Sequence, residues 1–157
     1  MSTQAERVEF LNRVLSETVN SIVQYTGISV PYVAPDCTGH LETMDRIRGE
    51  ENVHAHTLNE LIQRSNGVSK VEAFPYWNID LNYLDLRFMA RFAVTHQEKA
   101  IRRIEERADV LRTDPVAHTK VCGILEEKKR HLGELQEIGK KPEPEPEPEP
   151  EGESAAE

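Results

Sequence analysis

Glu50-Glu51-Asn52-Val53-His54-Ala55-His56-Thr57-Leu58 is the stretch on which the reading of this 157-residue chain turns. On a helix, residues i and i+3 lie about 60° apart around the axis, so Glu51 and His54 can point into one space and hold a metal ion. An E-x-x-H pair of this kind is a building block of carboxylate-bridged di-metal sites in four-helix bundles. Glu and His are common on helix surfaces, so the motif gains meaning only if other helices bring matching ligands. His56, about 200° from His54 around the same helix, reads as a surface residue.

Hydrophobic periodicity places the stretch inside helix B, from about His40 to Gln63, with Leu41, Met44, Arg48, Glu51, Ala55, Leu58 and Ile62 on one line. Glu51 has apolar neighbours a turn to either side and must be paired or ligating if buried. Gly67, after Ser65-Asn66, is the expected left-handed residue ending this helix. Upstream, Val8, Leu11, Leu15, Thr18, Ile22 and Tyr25 form one face of helix A, from Ala5 to about Tyr25. Residues 35–39 read as a loop. Downstream, Val68 to Tyr83 is a long connection in which Pro75-Tyr76-Trp77 supplies aromatic anchors. Helix C runs from about Leu84 to Leu111 on Ala90, Val94, Gln97, Ile101, Ile104 and Ala108. Asp114-Pro115 starts helix D, which reaches about Ile138 on Val121, Leu125, Lys128, Leu132 and Leu135. Lys128 on an apolar line must pair with an acid or carry its head outside. Short A–B and C–D links join antiparallel helices, and the long B–C crossover joins parallel ones, so the expected fold is an all-α, up-down four-helix bundle.

The formal charge of −9 belongs mostly to the C-terminus: residues 142–157 hold seven Glu and no base, while 1–141 hold 21 acids against 19 bases. Residues 142–151 alternate Pro and Glu, which predicts an extended, solvated polyproline-type tail. The expected division is therefore a bundle over 1–139 and a disordered Pro/Glu tail over 140–157. A near-neutral body without basic clusters argues against nucleic-acid binding. No apolar run suggests a signal peptide or a membrane span, and Cys37 and Cys122 read as free thiols, so a cytoplasmic protein is expected. No Ser-His-Asp order or Gly-rich phosphate loop points to hydrolytic or phosphate chemistry.

Three strings resemble the ferritin-like superfamily, bacterioferritins most closely: Leu11-Asn12 with Gln24-Tyr25 in helix A, Glu51-x-x-His54-Ala55 in helix B, and Ile124-Leu125-Glu126-Glu127 followed by His131 in helix D. The resemblance implies two irons held by a Glu from helix A, Glu-x-x-His from B, a Glu from C and Glu-x-x-His from D. Glu51, His54 and His131 match that pattern. Thr18 falls at the helix A position, with Glu17 one step off, and Lys128 falls three before His131, with Glu127 one step off. The helix C position falls near Val94-Thr95, with His96, Gln97 and Glu98 as the nearest candidates.

Two readings follow. In one, the metal ligands are Glu17, Glu51, His54, His96, Glu98, Glu127 and His131, and the centre binds iron as a di-iron site, or Mn or Zn, and oxidises Fe(II) as a ferroxidase. In the other, the bundle has lost its centre, Lys128 replaces the metal's charge beside Glu51, and the domain is a scaffold, interaction module or non-catalytic subunit. The resemblance does not extend to haem, because Asn52 stands where an axial Met is required. It implies a homo-oligomer, with a dimer through the A–B face expected; the tail reads as a solubilising spacer, with a docking segment for a protein partner or a cation-collecting brush as the alternatives.

Overall fold

The computed structural model describes residues 1–73 and 84–141, and among them all regular structure is helical. The helices are α1 (Gln4–Val19), α2 (Ile22–Tyr25), α3 (Thr38–Arg64), α4 (Leu86–Arg107) and α5 (Pro115–Gly139), with 3₁₀ turns at Pro35–Cys37 and Ala108–Leu111. The expected helices B, C and D correspond to α3, α4 and α5. The aromatic stretch Pro75-Tyr76-Trp77 and the Pro/Glu tail from Pro142 lie outside the described residues.

Contacts between helices give the topology. Gln4 reaches Ser65 and Ser21 reaches Glu51, so α1 and α3 are antiparallel. Ser2 to Val110 with Glu17 to Arg103 does the same for α1 and α4. Arg46 to Glu134 with His54 to Glu127 orients α3 against α5, and Arg91 to Gly139 with Gln97 to Lys128 orients α4 against α5. It follows that α3 and α4 are parallel.

Helix boundaries follow local chemistry. Thr3 and Glu6 form a capping box at the start of α1, each side chain bonding the other's backbone N–H. Asp114 caps α5 through the Ala117 N–H at 3.1 Å, with Pro115 in the first turn as the sequence predicts.

Two expectations need correction. Helix A is not continuous: Asn20 caps the end of α1 and Ser21 the start of α2. The break lets the Ser21 hydroxyl accept from Gln24 N at 3.1 Å while donating to the Glu51 carboxylate at 2.6 Å. At the end of α3, Asn66 and not Gly67 takes the left-handed conformation, with φ 51°. Asn tolerates that region because its short side chain bonds locally. Gly67 is required for space instead, since a Cβ there would lie 2.7 Å from the Val8 methyls.

The crossover is fastened to α1 by side chains four residues apart. Asn12 bonds Val68 O and Lys70 N, Ser16 bonds Lys70 O and Glu72 N, and Asn20 bonds Glu72 O. An i, i+4, i+8 polar stripe thus satisfies backbone groups that a surface loop leaves to water.

The interior has two apolar layers. One contains Phe10, Leu11, Leu58, Ile62, Ile104 and Val121, and the other Ile22, Met44, Ile47, Met89, Ala93 and Leu135. Between them in sequence, on every long helix, lies a buried polar residue: Thr18, Glu51 with His54, Gln97, and Lys128 with His131. Burial on α3 centres on Ile47, His54 and Leu61, a slight rotation from the predicted line, which leaves Arg48 at the rim beside Asp45.

Candidate functional site

α3 and α5 present related sequences to the middle of the bundle: Glu50-Glu51-x-x-His54 on one, Glu127-Lys128-x-x-His131 on the other. The antiparallel crossing pairs them reciprocally. His54 Nε2 donates to Glu127 Oε2, and His131 Nε2 donates to Glu50 Oε2 at 2.5 Å. The two imidazoles lie near-parallel, 5.8 Å between centroids. An ionised carboxylate only accepts, so each Nε2 carries the proton and each Nδ1 holds a free lone pair.

Glu50 is further held in a ring of four charges, Arg46, Glu50, Arg130 and Glu134, closed by ion pairs between α3 and α5. Burial pulls the Glu50 carboxyl up, but hydrogen bonds from His131, Arg130 and Arg46 overturn this and bring it down to about 2. Burial pushes the His131 imidazole down, against the pull of Glu50 and Glu51.

Glu51 is 1% exposed. Its Oε2 accepts from Ser21 Oγ at 2.6 Å and from Gln24 Nε2 at 3.1 Å. Its Oε1, together with His54 Nδ1 and His131 Nδ1, is buried and has no hydrogen-bond partner. Lys128 is also 1% exposed, so its head does not reach solvent; burial lowers its pKa and Glu51 opposes that. The other two polar residues of this layer make hydrogen bonds to backbone: Thr18 Oγ1 donates to Val14 O at 2.8 Å and Gln97 Nε2 to Lys128 O at 3.1 Å.

The structure separates the residues expected to ligate. Glu51, His54 and His131 come together in the middle layer. Glu127 does not join His131; it lies half-exposed and holds the outer nitrogen of His54. Glu17 pairs with Arg103 on α4. Glu98 is exposed, and His96 is half-buried, tilted against Phe92 with ring centroids 5.1 Å apart. The residue that α4 sends inward is Gln97. Glu50, Ser21 and Gln24 are the functional partners that the E-x-x-H pattern did not single out. A repeated E-x-x-x-H spacing, Glu50 to His54 and Glu127 to His131, was the available signal for the first.

A cavity of about 260 Å³ opens at the α1–α2 break, with Asn20, Ser21, Ile22, Ala93 and Gln97 among its walls. Ser21 and Gln97 also touch the buried layer, through Glu51 and the Lys128 backbone.

A family model described as Ferritin-like domain matches residues 8–143, and the chain belongs to that family. Among solved structures it is similar to a ferritin-like, diiron-carboxylate protein from Bacillus anthracis str. Ames, with 19% identity, TM-score 0.71, and coverage of 89% of this chain and 100% of that one. At that identity the likeness concerns the fold. No curated protein matches the chain. Among the described residues no helix is long and apolar enough to cross a membrane.

The residues present do not fit a di-iron centre. Two divalent ions need several carboxylates, whereas among the described residues the buried layer offers one, Glu51, together with a lysine, Lys128. Among the described residues no three His, Cys, Asp or Glu side chains converge to hold a metal ion.

Proposed function

We propose that this ferritin-like domain works without a di-iron centre, as a scaffold, interaction module or non-catalytic subunit in which Lys128 supplies the positive charge that a metal brings elsewhere. One observation carries the reading: Lys128 is fully buried, and the charge that acts on it is Glu51. Burying either group alone costs several kcal/mol, on the order given for single ions, and each is the other's compensation. The domain division at residue 139, a homo-oligomer of dimer size or larger, docking through the Pro/Glu tail and a cytoplasmic setting for Cys37 and Cys122 belong to the same reading.

Iron is the first ion to test, since the similar solved protein is described as diiron-carboxylate. Protein purified without chelator from cells supplied with iron and manganese is expected to hold well under one metal ion per chain and to leave the rate of Fe(II) oxidation in air unchanged. About two Fe per chain, lost on Glu51→Ala, would overturn the proposal in favour of a ferroxidase centre.

A further inference from the structure

The described residues leave an apolar surface open at the end of the bundle where α2 finishes and α4 begins. Apart from Met1, Ile28 and Val30 are the most exposed large hydrophobic residues among them, at 84% and 74%. They alternate with Ser29 and the buried Pro31, and Tyr32 follows at 63%. Tyr32 N donates to Leu84 O at 3.0 Å and its carbonyl accepts from Leu86 N at 2.9 Å, which fastens this segment to the entry of α4. Phe88, in the first turn of α4, is 45% exposed. The Arg91 guanidinium lies over its ring, 5.9 Å from the centroid. Exposed apolar side chains gathered in this way mark an interaction surface.

The chain leaves the bundle beside it. α5 ends at Gly139, whose carbonyl accepts from Arg91 at 3.2 Å. Lys140 and Lys141 then lead into the alternating Pro/Glu run of 142–151. Ten residues in polyproline form reach about 31 Å, whereas Gly139 and Arg91 are already in contact. With three residues per turn, Pro142, Glu145, Pro148 and Glu151 fall on one edge, about 9 Å apart. That edge alternates rings with carboxylates, and the surface offers aromatic rings with a guanidinium over one of them. Proline rings dock on exposed aromatics, and carboxylates bond arginine strongly. Among the described residues no carboxylate pairs with Arg91. The neighbouring acids are taken: Asp85 caps α4 and Asp36 pairs with Arg87.

We propose that residues 142–151 dock back onto Tyr32, Phe88 and Arg91 of their own chain, proline rings on the aromatics and a glutamate on the guanidinium. This deepens the tail docking proposed above by naming its surface, and it asks nothing of the buried layer. A partner that takes the tail then has to displace it from α4.

The test compares the ¹⁵N–¹H spectrum of the full chain with that of a free peptide of residues 142–157. Proline has no N–H, so the Glu amides of 143–151 are the reporters. In the parent their shifts are expected to differ from the peptide's and to stay constant on dilution. Phe88→Ser and Arg91→Gln should each remove the difference, with circular dichroism as the check on folding and Tyr32→Ser as the second aromatic variant should Phe88→Ser unfold. Parent amides that coincide with the peptide's overturn the proposal, as does a difference that survives either substitution in a folded chain. A difference that fades on dilution moves the occupant to a second copy and overturns docking within one chain. Metal content affects none of these outcomes, so failure here is distinguishable from failure of the metal-free reading.

Discussion

The α3 segment Glu50–His54 and the α5 segment Glu127–His131 occupy equivalent places across the antiparallel crossing and differ at one charge-bearing position. Each has a glutamate four residues before its histidine, and each histidine is held by the other helix's glutamate. At the intervening position α3 has Glu51 and α5 has Lys128, both buried. The two halves thus keep the outer hydrogen bonds of a symmetric site while their inner charges oppose each other. On the reading proposed above, the imidazole–carboxylate frame persists without a metal because the chain itself balances the charge inside it.

The sharpest way to break this comparison is to make the halves alike. Lys128→Glu places a second carboxylate opposite Glu51 with no cation between them. In chelator-treated protein it should cost about 3–5 kcal/mol in urea unfolding, the range for an uncompensated buried charge. A variant as stable as the parent would show that Lys128 does not balance Glu51. Ser21→Ala removes one donor from Glu51 and the cap of α2 together; about 2–3 kcal/mol is expected by the same measurement.

The outer pairs are unequal, and that inequality can be measured too. Glu50 sits in a four-charge ring and is 31% exposed, whereas Glu127 is 51% exposed and is held by His54. Glu50→Gln should cost about 1 kcal/mol near neutral pH after allowance for solvent screening. Because folding lowers the Glu50 pKa from 4.5 to about 2, its contribution is fully present above about pH 4.5. That contribution is lost as pH falls toward 2, so the gap between parent and Glu50→Gln should narrow over that window. Glu127→Gln should cost less, about 0.5 kcal/mol or under; a larger loss than at Glu50 would reverse the ranking.

Much of the fold was legible because helical periodicity and end signals are local. The four long helices, the Asp114-Pro115 start and the presence of Glu51, Thr18, Gln97 and Lys128 on inward lines all follow from spacing of three and four. The break at Asn20 was not legible, since no Pro or Gly marks it; it leaves Ser21 capping α2 while bonded to Glu51, thirty residues away. The buried polar layer was legible only within each helix. The shared face of Glu51 and His54 follows from their spacing and His131 from the family resemblance, while the assignment of Glu127 to His54 and of Glu50 to His131 depends on a helix crossing that joins residues 73 and 81 positions apart. Glu17 and Glu98 were attractive as acids near ligand positions, but one step on a helix is about 100°, enough to turn them to Arg103 and to the surface.

The double use of the Ser21 hydroxyl ties the backbone to the buried layer. It holds the Gln24 N–H while its own proton is held by Glu51. An isolated helix as short as Ile22–Tyr25 would fray freely. Here the amide of Gln24 can exchange with solvent only after the serine has let go, which makes that one proton a clock for how often the interior of the bundle breathes.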